Sequence, residues 1–398
     1  MSRRPGVLPY QWLSRAITAG WITAPACELE ARQLQPASLD LRLGAVAYRM
    51  RSSFLPGQEP VAHKLAALTM YDIPLAPAAV LERGHVYLIP LLEELHLPPY
   101  VRGRTNPKSS TGRLDIFTRV ITDGHARFDT MRPGYHGGLY LEVFSRSFTI
   151  KVHQGLSLNQ LRLFFGDALS DTLLDNTALR QLHEVEPLLY DDDDQPIRLE
   201  DLHLDSGLFM GLAAAGRTET VVGYKAKKNS DIIDLSQVNH YDPSDFWEPV
   251  HGSPTRPLIL EPEEFYILTS KEKVCIPPAY AAELVPYDAG SGELRTHYAG
   301  FFDPGFGYGH LGHRGTKAVL EVRPHDVPFL VEDGQIFCKL CLESTTETPE
   351  VVYGTALQSH YQAQTLTLGK QFLPWDSTAA RHEPTCGSDS FDNEARRR

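Results

Sequence analysis

The stretch Leu81 to Pro99 reads LERGHVYLIPLLEELHLPP, and Leu260 to Pro278 reads LEPEEFYILTSKEKVCIPP, with Leu-Glu, Tyr and Pro-Pro at matching places. The shift between the two is 179 residues (260 − 81), and it persists along the chain. Leu141-Glu142-Val143 falls on Leu320-Glu321-Val322, and Gly155 of HQGLSLNQLRLFF falls on Gly334 of EDGQIFCKLCLE. A constant offset over such distances is one domain duplicated in tandem. Each copy then serves as a reference for the other, and a residue kept in one and lost from the other carries information.

Both stretches, together with GLYLEVFSRSFTIKV, KAVLEVRPHDVPFLV and QIFCKLCLE, show two-residue alternation, β-branched and aromatic side chains and Pro/Gly punctuation. That pattern predicts short strands, and a mainly β chain built as two tandem β-sandwich or jelly-roll domains with small helical additions. Helical spacing is confined to Tyr10–Trp21 and to Ser170–Glu184, the second with Ser170 or Asp171 as the expected N-cap. The expected division is 1–228 for the first domain, 229–375 for the second and a polar, disordered tail over 376–398. An acidic spacer near 185–205, containing Asp191 to Asp194, is read as a solvated loop of the first domain.

A net charge of −12 argues against a nucleic-acid-coating protein, and no apolar run approaches a membrane span. The opening MSRRPGVLPYQWL lacks a secretory signal pattern, and five scattered cysteines suit a reducing compartment, so a cytoplasmic location is expected. Cys338 and Cys341 are three apart in a strand pattern, which turns them to opposite faces and speaks against a metal or redox pair.

Against this acidic background, VRGRTNPKSSTGRL, residues 101–114, holds Arg102, Arg104, Lys108 and Arg113 with one acid-free run of hydroxyls and glycine. Lys108, Ser109, Ser110 and Arg113 make a cradle for phosphate oxygens. The Gly-rich, aromatic run Ala299 to Gly307 lets backbone approach a flat ring and sugar, and its Asp303 offers a hydroxyl acceptor. Glu142 and Glu321 interrupt apolar strands; each faces outward, or is buried with a raised pKa suited to proton transfer.

In their order, Gln35 to Gly44, Lys108 to Arg113, Pro133-Gly134-Tyr135-His136-Gly137 and Leu141-Glu142 resemble the motifs of the dCTP deaminase branch of the dUTPase superfamily. In the second copy, Ala299 to Gly307, Glu321 and Tyr361 to Gln364 resemble the nucleoside site and closing segment of that branch, in its two-domain form. The resemblance implies dUTPase-like distorted jelly rolls and sites between neighbouring copies. It also implies Mg²⁺ carried on the dCTP triphosphate and a glutamate activating water for attack on cytosine C4, giving dUTP and ammonia. Catalytic candidates by match are Glu321, Ser109 and Arg113, with Glu142, Ser291 and Arg295 as the alternative set; Ala299, Asp303, Tyr361 and Gln364 are the nucleoside-binding candidates. Zinc deaminases need H-x-E with P-C-x-x-C, and no histidine here has Glu two residues on, so no zinc or other protein-held metal is expected.

The copies differ in complementary ways. Copy one keeps the phosphate loop but has Arg132 where copy two has Asp303, and Tyr224-Lys225-Ala226-Lys227 is read as its counterpart of Tyr361-Gln362-Ala363-Gln364. Copy two keeps Asp303 and Glu321, but its loop Tyr287 to Arg295 carries Asp288 and Glu293, which would repel polyphosphate. A composite site follows: the phosphate loop of one copy with Asp303, Glu321, Tyr361 and Gln364 of the other. Copy two also has an insert with His310 and His313, either a pocket cover or a plain surface loop. Other readings are a dUTP diphosphatase, a bifunctional enzyme and a non-catalytic nucleotide-binding protein. Six repeats in a homotrimer is the expected assembly, with no nucleic-acid or membrane partner.

Overall fold

The computed structural model describes residues 4–166, 168–215, 220–253, 255–285, 300–309, 314–354 and 365–375, and the backbone of 295–296. It is 41% strand and 13% helix, so the mainly β expectation holds.

Each copy is two facing sheets. In copy one Val86–His96 lies between Val46–Met50 and His136–Ser145, while Ser157–Phe165 pairs with Leu39–Arg42 and Val101–Pro107. In copy two Tyr266–Val274 lies between Val221–Ala226 and Thr316–Arg323, while Ile336–Ser344 pairs with Leu208–Gly211 and Tyr280–Val285. The repeat extends to individual registers: Tyr87 stands opposite Val143 as Tyr266 stands opposite Val322, and Ala79 opposite Val152 as Leu258 opposite Val331. Alternating side chains from both sheets fill the space between them, as the period of two requires.

Among the described residues five short α-helices decorate the sheets: α1 Tyr10–Thr18, α2 Val61–Leu68, α3 Ser109–Gly112, α4 Asn176–Val185 and α5 Pro243–Phe246. α4 begins later than its spacing predicts, because Leu173 and Leu174 run extended against the strand Ile336–Ser344 and Asp175 caps the helix, accepting from the Ala178 N–H at 2.8 Å.

Strand pairing moves the predicted boundary at 228/229. Leu189–Tyr190, Leu208–Gly211 and Val221–Ala226 all pair with second-copy strands, so copy two begins near α4. The acidic turn belongs there too, with Asp192 paired to Lys317 and Asp194 to Lys273. Composition marked the turn as a spacer, whereas the partners that define a domain lie far along the chain. One consequence is that Tyr224 is the counterpart of Tyr48, not of Tyr361: Tyr224 stands opposite Ile267 as Tyr48 stands opposite Leu88.

The copies share one core. Tyr224, Ala226, Phe246, Trp247, Phe265, Ile267 and Val319 of copy two are buried together with Leu114, Phe148 and Ile150 of copy one. Phe148 packs on Trp247 with ring centroids 5.3 Å apart. The connection between Val221–Ala226 and Trp247–His251 crosses the boundary, where Ile233–Asp234 adds a parallel strand beside Ile150–Lys151. Each fully buried apolar side chain contributes about 1.5–3 kcal/mol, so this junction is a core rather than a linker.

Candidate active site

The stretch 101–114 divides in two. Val101–Pro107 is a strand, and its alternation sends Arg104 to Glu343 at 2.7 Å and to Glu283, away from the loop. Arg104, counted in the basic run but not in the cradle, therefore joins the copies. Beyond the strand, Lys108 is the extended residue before α3, Ser109 is exposed and Ser110 half-buried. Thr111 faces inward, its hydroxyl donating to the Leu158 carbonyl at 2.8 Å. Arg113 is buried and donates to the carbonyls of Thr367 and Leu368 at 2.9 and 3.4 Å. The segment 365–375 is thereby tied over the loop.

Glu321 lies in Thr316–Arg323, opposite Ile267, and is 6% exposed. Burial pushes its carboxyl up to about 7, opposed by the charge of Arg113. A copy-one arginine and a copy-two glutamate thus act on one another within a single chain. Beside them Arg323 pairs with Asp115 of copy one, and its guanidinium also donates to the Ser147 hydroxyl at 3.0 Å.

Asp303 is 8% exposed and follows Phe301–Phe302. Its carboxylate receives Arg162 of copy one at 3.3 Å and, at 3.5 Å, the Ser38 hydroxyl. Burial raises its pKa while Arg162 lowers it. Arg162 itself has no exposed side-chain surface, pairs with Glu343 at 2.9 Å and lies 4.0 Å from the Phe301 ring. The turn after Asp303 needs glycine: Gly307 has φ +69°, and a Cβ there would stand 2.1 Å from the Val274 carbonyl. Tyr353 closes the turn, its N–H donating to Pro304 at 2.8 Å and its ring 5.5 Å from that of Phe306.

Lys108 contacts Asp40, whose other oxygen, Oδ1, is buried without a hydrogen-bond partner. Burial raises the Asp40 pKa against the pull of Lys108. Lys370, from the segment over the loop, is driven down by burial and by Lys108. Phosphate loop, Asp303 turn, Glu321 and the 365–375 segment thus converge on the junction between copies.

Glu142 lies apart from this group. It is buried opposite Arg119, hydrogen-bonded to Ser53, and its pKa is raised by burial. Ser291, Ala299, Tyr361, Gln364, His310 and His313 lie outside the described residues, as does the Arg295 side chain. Arg132 is the structural counterpart of Asp303, because Met131 stands opposite Gly103 as Phe302 stands opposite Ala282. Ser38 and Asp40 lie in the Gln35 to Gly44 motif without having been named as site residues, and Arg162, Tyr353 and Lys370 escaped the sequence reading. Arg162 carried a signal in LRLFF, a charge at an inward position of an apolar strand.

Comparison with known proteins matches residues 4–167 to the N-terminal domain of 2'-deoxycytidine 5'-triphosphate deaminase and residues 175–372 to its C-terminal domain. The crystal structure of 2'-deoxycytidine 5'-triphosphate deaminase from Agrobacterium tumefaciens superposes with a TM-score of 0.79 at 43% identity, covering 86% of this chain and all of that one. Curated relatives named "dCTP deaminase, dUMP-forming" include those of Corynebacterium jeikeium and Corynebacterium diphtheriae. Each is 28% identical, over 33% and 34% of this chain and 68% and 70% of the relative. Domain models matched in order over 4–167 and 175–372, and a solved structure at 43% identity covering 86% of the chain, make this chain a member of the two-domain dCTP deaminase family.

Proposed function

We propose that the chain deaminates dCTP at one composite site: Lys108, Ser109, Ser110 and Arg113 from copy one, Asp303 and Glu321 from copy two. The observation that carries this reading is the buried Glu321 carboxyl, held at about 7 under the charge of Arg113. A carboxyl poised near neutral pH can take a proton from water and return it within one turnover. Water oxygen adds to cytosine C4 while Glu321 takes one water proton and delivers it to the departing amino group; the second water proton ends on N3 as the C4 hydroxyl becomes a carbonyl, and ammonia leaves with uracil in place of cytosine. Arg113 keeps the ionised form of Glu321 accessible despite burial.

Lys108, Ser109 and Ser110 receive the triphosphate, with Lys108 exchanging Asp40 for phosphate oxygens. Asp303 retains acceptor capacity for a sugar hydroxyl, because its two partners leave lone pairs unused. The donors suit Mg²⁺ arriving with the nucleotide. Such an ion takes one or two carboxylates plus phosphates, and the unpartnered Asp40 Oδ1 is the carboxylate oxygen at hand. An ion held there with the nucleotide would neutralise phosphate charge.

The first product is dUTP. A second reading, in which pyrophosphate is also released and dUMP leaves, draws on the dUMP-forming names of the curated relatives. Asp303 is a poor base for that step, since its ion pair with Arg162 favours the carboxylate over the protonated form. Following ammonia and pyrophosphate together from dCTP and Mg²⁺ separates the readings. Ammonia alone supports dUTP release, both products support the bifunctional enzyme, and tight binding with neither product would contradict catalysis.

A further inference from the structure

The two copies present the same sheet face but cover it differently. In copy two Tyr224, Ala226, Phe265, Ile267 and Val319 are buried in the core shared with copy one. Their counterparts by register and offset are Tyr48, Met50, Val86, Leu88 and Tyr140. None of these five joins the shared core. They form a separate cluster with Val61, Leu65 and Leu68 of α2 and with Phe54 and Phe128.

The cover comes from one position in the repeat. In copy two the connection between Val221–Ala226 and Trp247–His251 reaches outward, and its Ile233–Asp234 pairs with copy one. In copy one the same connection, between Val46–Met50 and Thr69–Pro74, folds back as residues 51–68 onto its own sheet. Polar bonds fix it there. The Val61 N–H donates to Asp123 Oδ1 at 2.6 Å, the Gly124 N–H donates to the Glu59 carbonyl at 3.4 Å, and Ser53 hydrogen-bonds Glu142, the counterpart of Glu321.

We infer that residues 51–68 are a built-in substitute for a neighbouring copy: they seal the Glu142 face, so the repeat ends at two and each chain holds one nucleotide site. Where copy two receives Arg113 from the other copy beside Glu321, copy one receives Ser53 from its own connection beside Glu142. A further copy cannot pack on the five apolar counterparts while α2 occupies them. The site count rests on the reading of Glu321 given above; the sealing does not.

Two measurements on the full chain test this. A Leu88→Cys thiol, beneath α2, should react with maleimide about 100-fold more slowly than the exposed Cys27, and adding Val61→Asp with Leu65→Asp should bring the two rates together. Fast labelling without the aspartates, or slow labelling with them, would overturn the sealing. Equilibrium dialysis of Glu321→Gln with labelled dCTP and Mg²⁺, α2 left intact, should give one nucleotide per chain, and two would overturn the inference independently of any effect on folding. No bound nucleotide would instead count against the deaminase reading, and the thiol rates would still decide the sealing.

Discussion

In the proposed mechanism Glu321 joins function to stability through a single proton. Its carboxyl titrates near 7 in the folded chain against an ordinary value of 4.5, so the native state binds a proton that the unfolded chain releases between those values. Its contribution to stability is therefore complete below pH 4.5 and is lost as the pH rises through 7. Glu321→Gln removes that loss and should stabilise the protein at pH 8 by on the order of 2 kcal/mol in urea titrations. The same substitution should lower the rate of ammonia release about 10²–10⁴-fold. In the unmodified chain kcat/KM should climb as the pH rises through about 7, because the base works ionised. A profile flat from pH 5.5 to 8.5 would separate Glu321 from the chemistry.

At the scale of elements, glycine and caps decide where the site can form. Gly307→Ala sets a Cβ 2.1 Å from the Val274 carbonyl at a positive φ, and should displace the Asp303 turn. We expect a loss of about 2–4 kcal/mol by thermal or urea unfolding, with KM for dCTP rising. Asp175→Ala removes the α4 cap at some distance from the site, and should cost about 1 kcal/mol with turnover unchanged. Strand identity and the 179-residue offset that recurs in the strand registers were legible in the sequence, because alternation and a fixed offset are local or self-referenced signals. The domain boundary was not, since Leu189–Tyr190 and Val221–Ala226 are assigned by partners far along the chain. The role of Arg104 was not legible for a related reason: a charge count along 101–114 does not see the turn of direction at Lys108 that separates a junction strand from the loop beyond it.

At the scale of the molecule, the junction between copies is a core and, in the proposed reading, the active site. Arg162 and Arg104 of copy one meet Glu343, Glu283 and Asp303 of copy two, all largely removed from water. Breaking one member of such a buried network leaves uncompensated charge, so Arg162→Ala should destabilise by about 3–5 kcal/mol and reduce dCTP turnover with it. A loss confined to stability would detach Asp303 from nucleotide binding. Among the described residues no helix is long and apolar enough to cross a membrane. The central claim, that copy one supplies the phosphate loop and copy two the glutamate of one deaminase site, is tested most directly by ammonia release from dCTP and Mg²⁺. The unmodified chain should release ammonia, and Arg113→Ala, Glu321→Gln and their mixture should each release almost none, since both residues act within one chain. Full ammonia release by Glu321→Gln would contradict the account at its base.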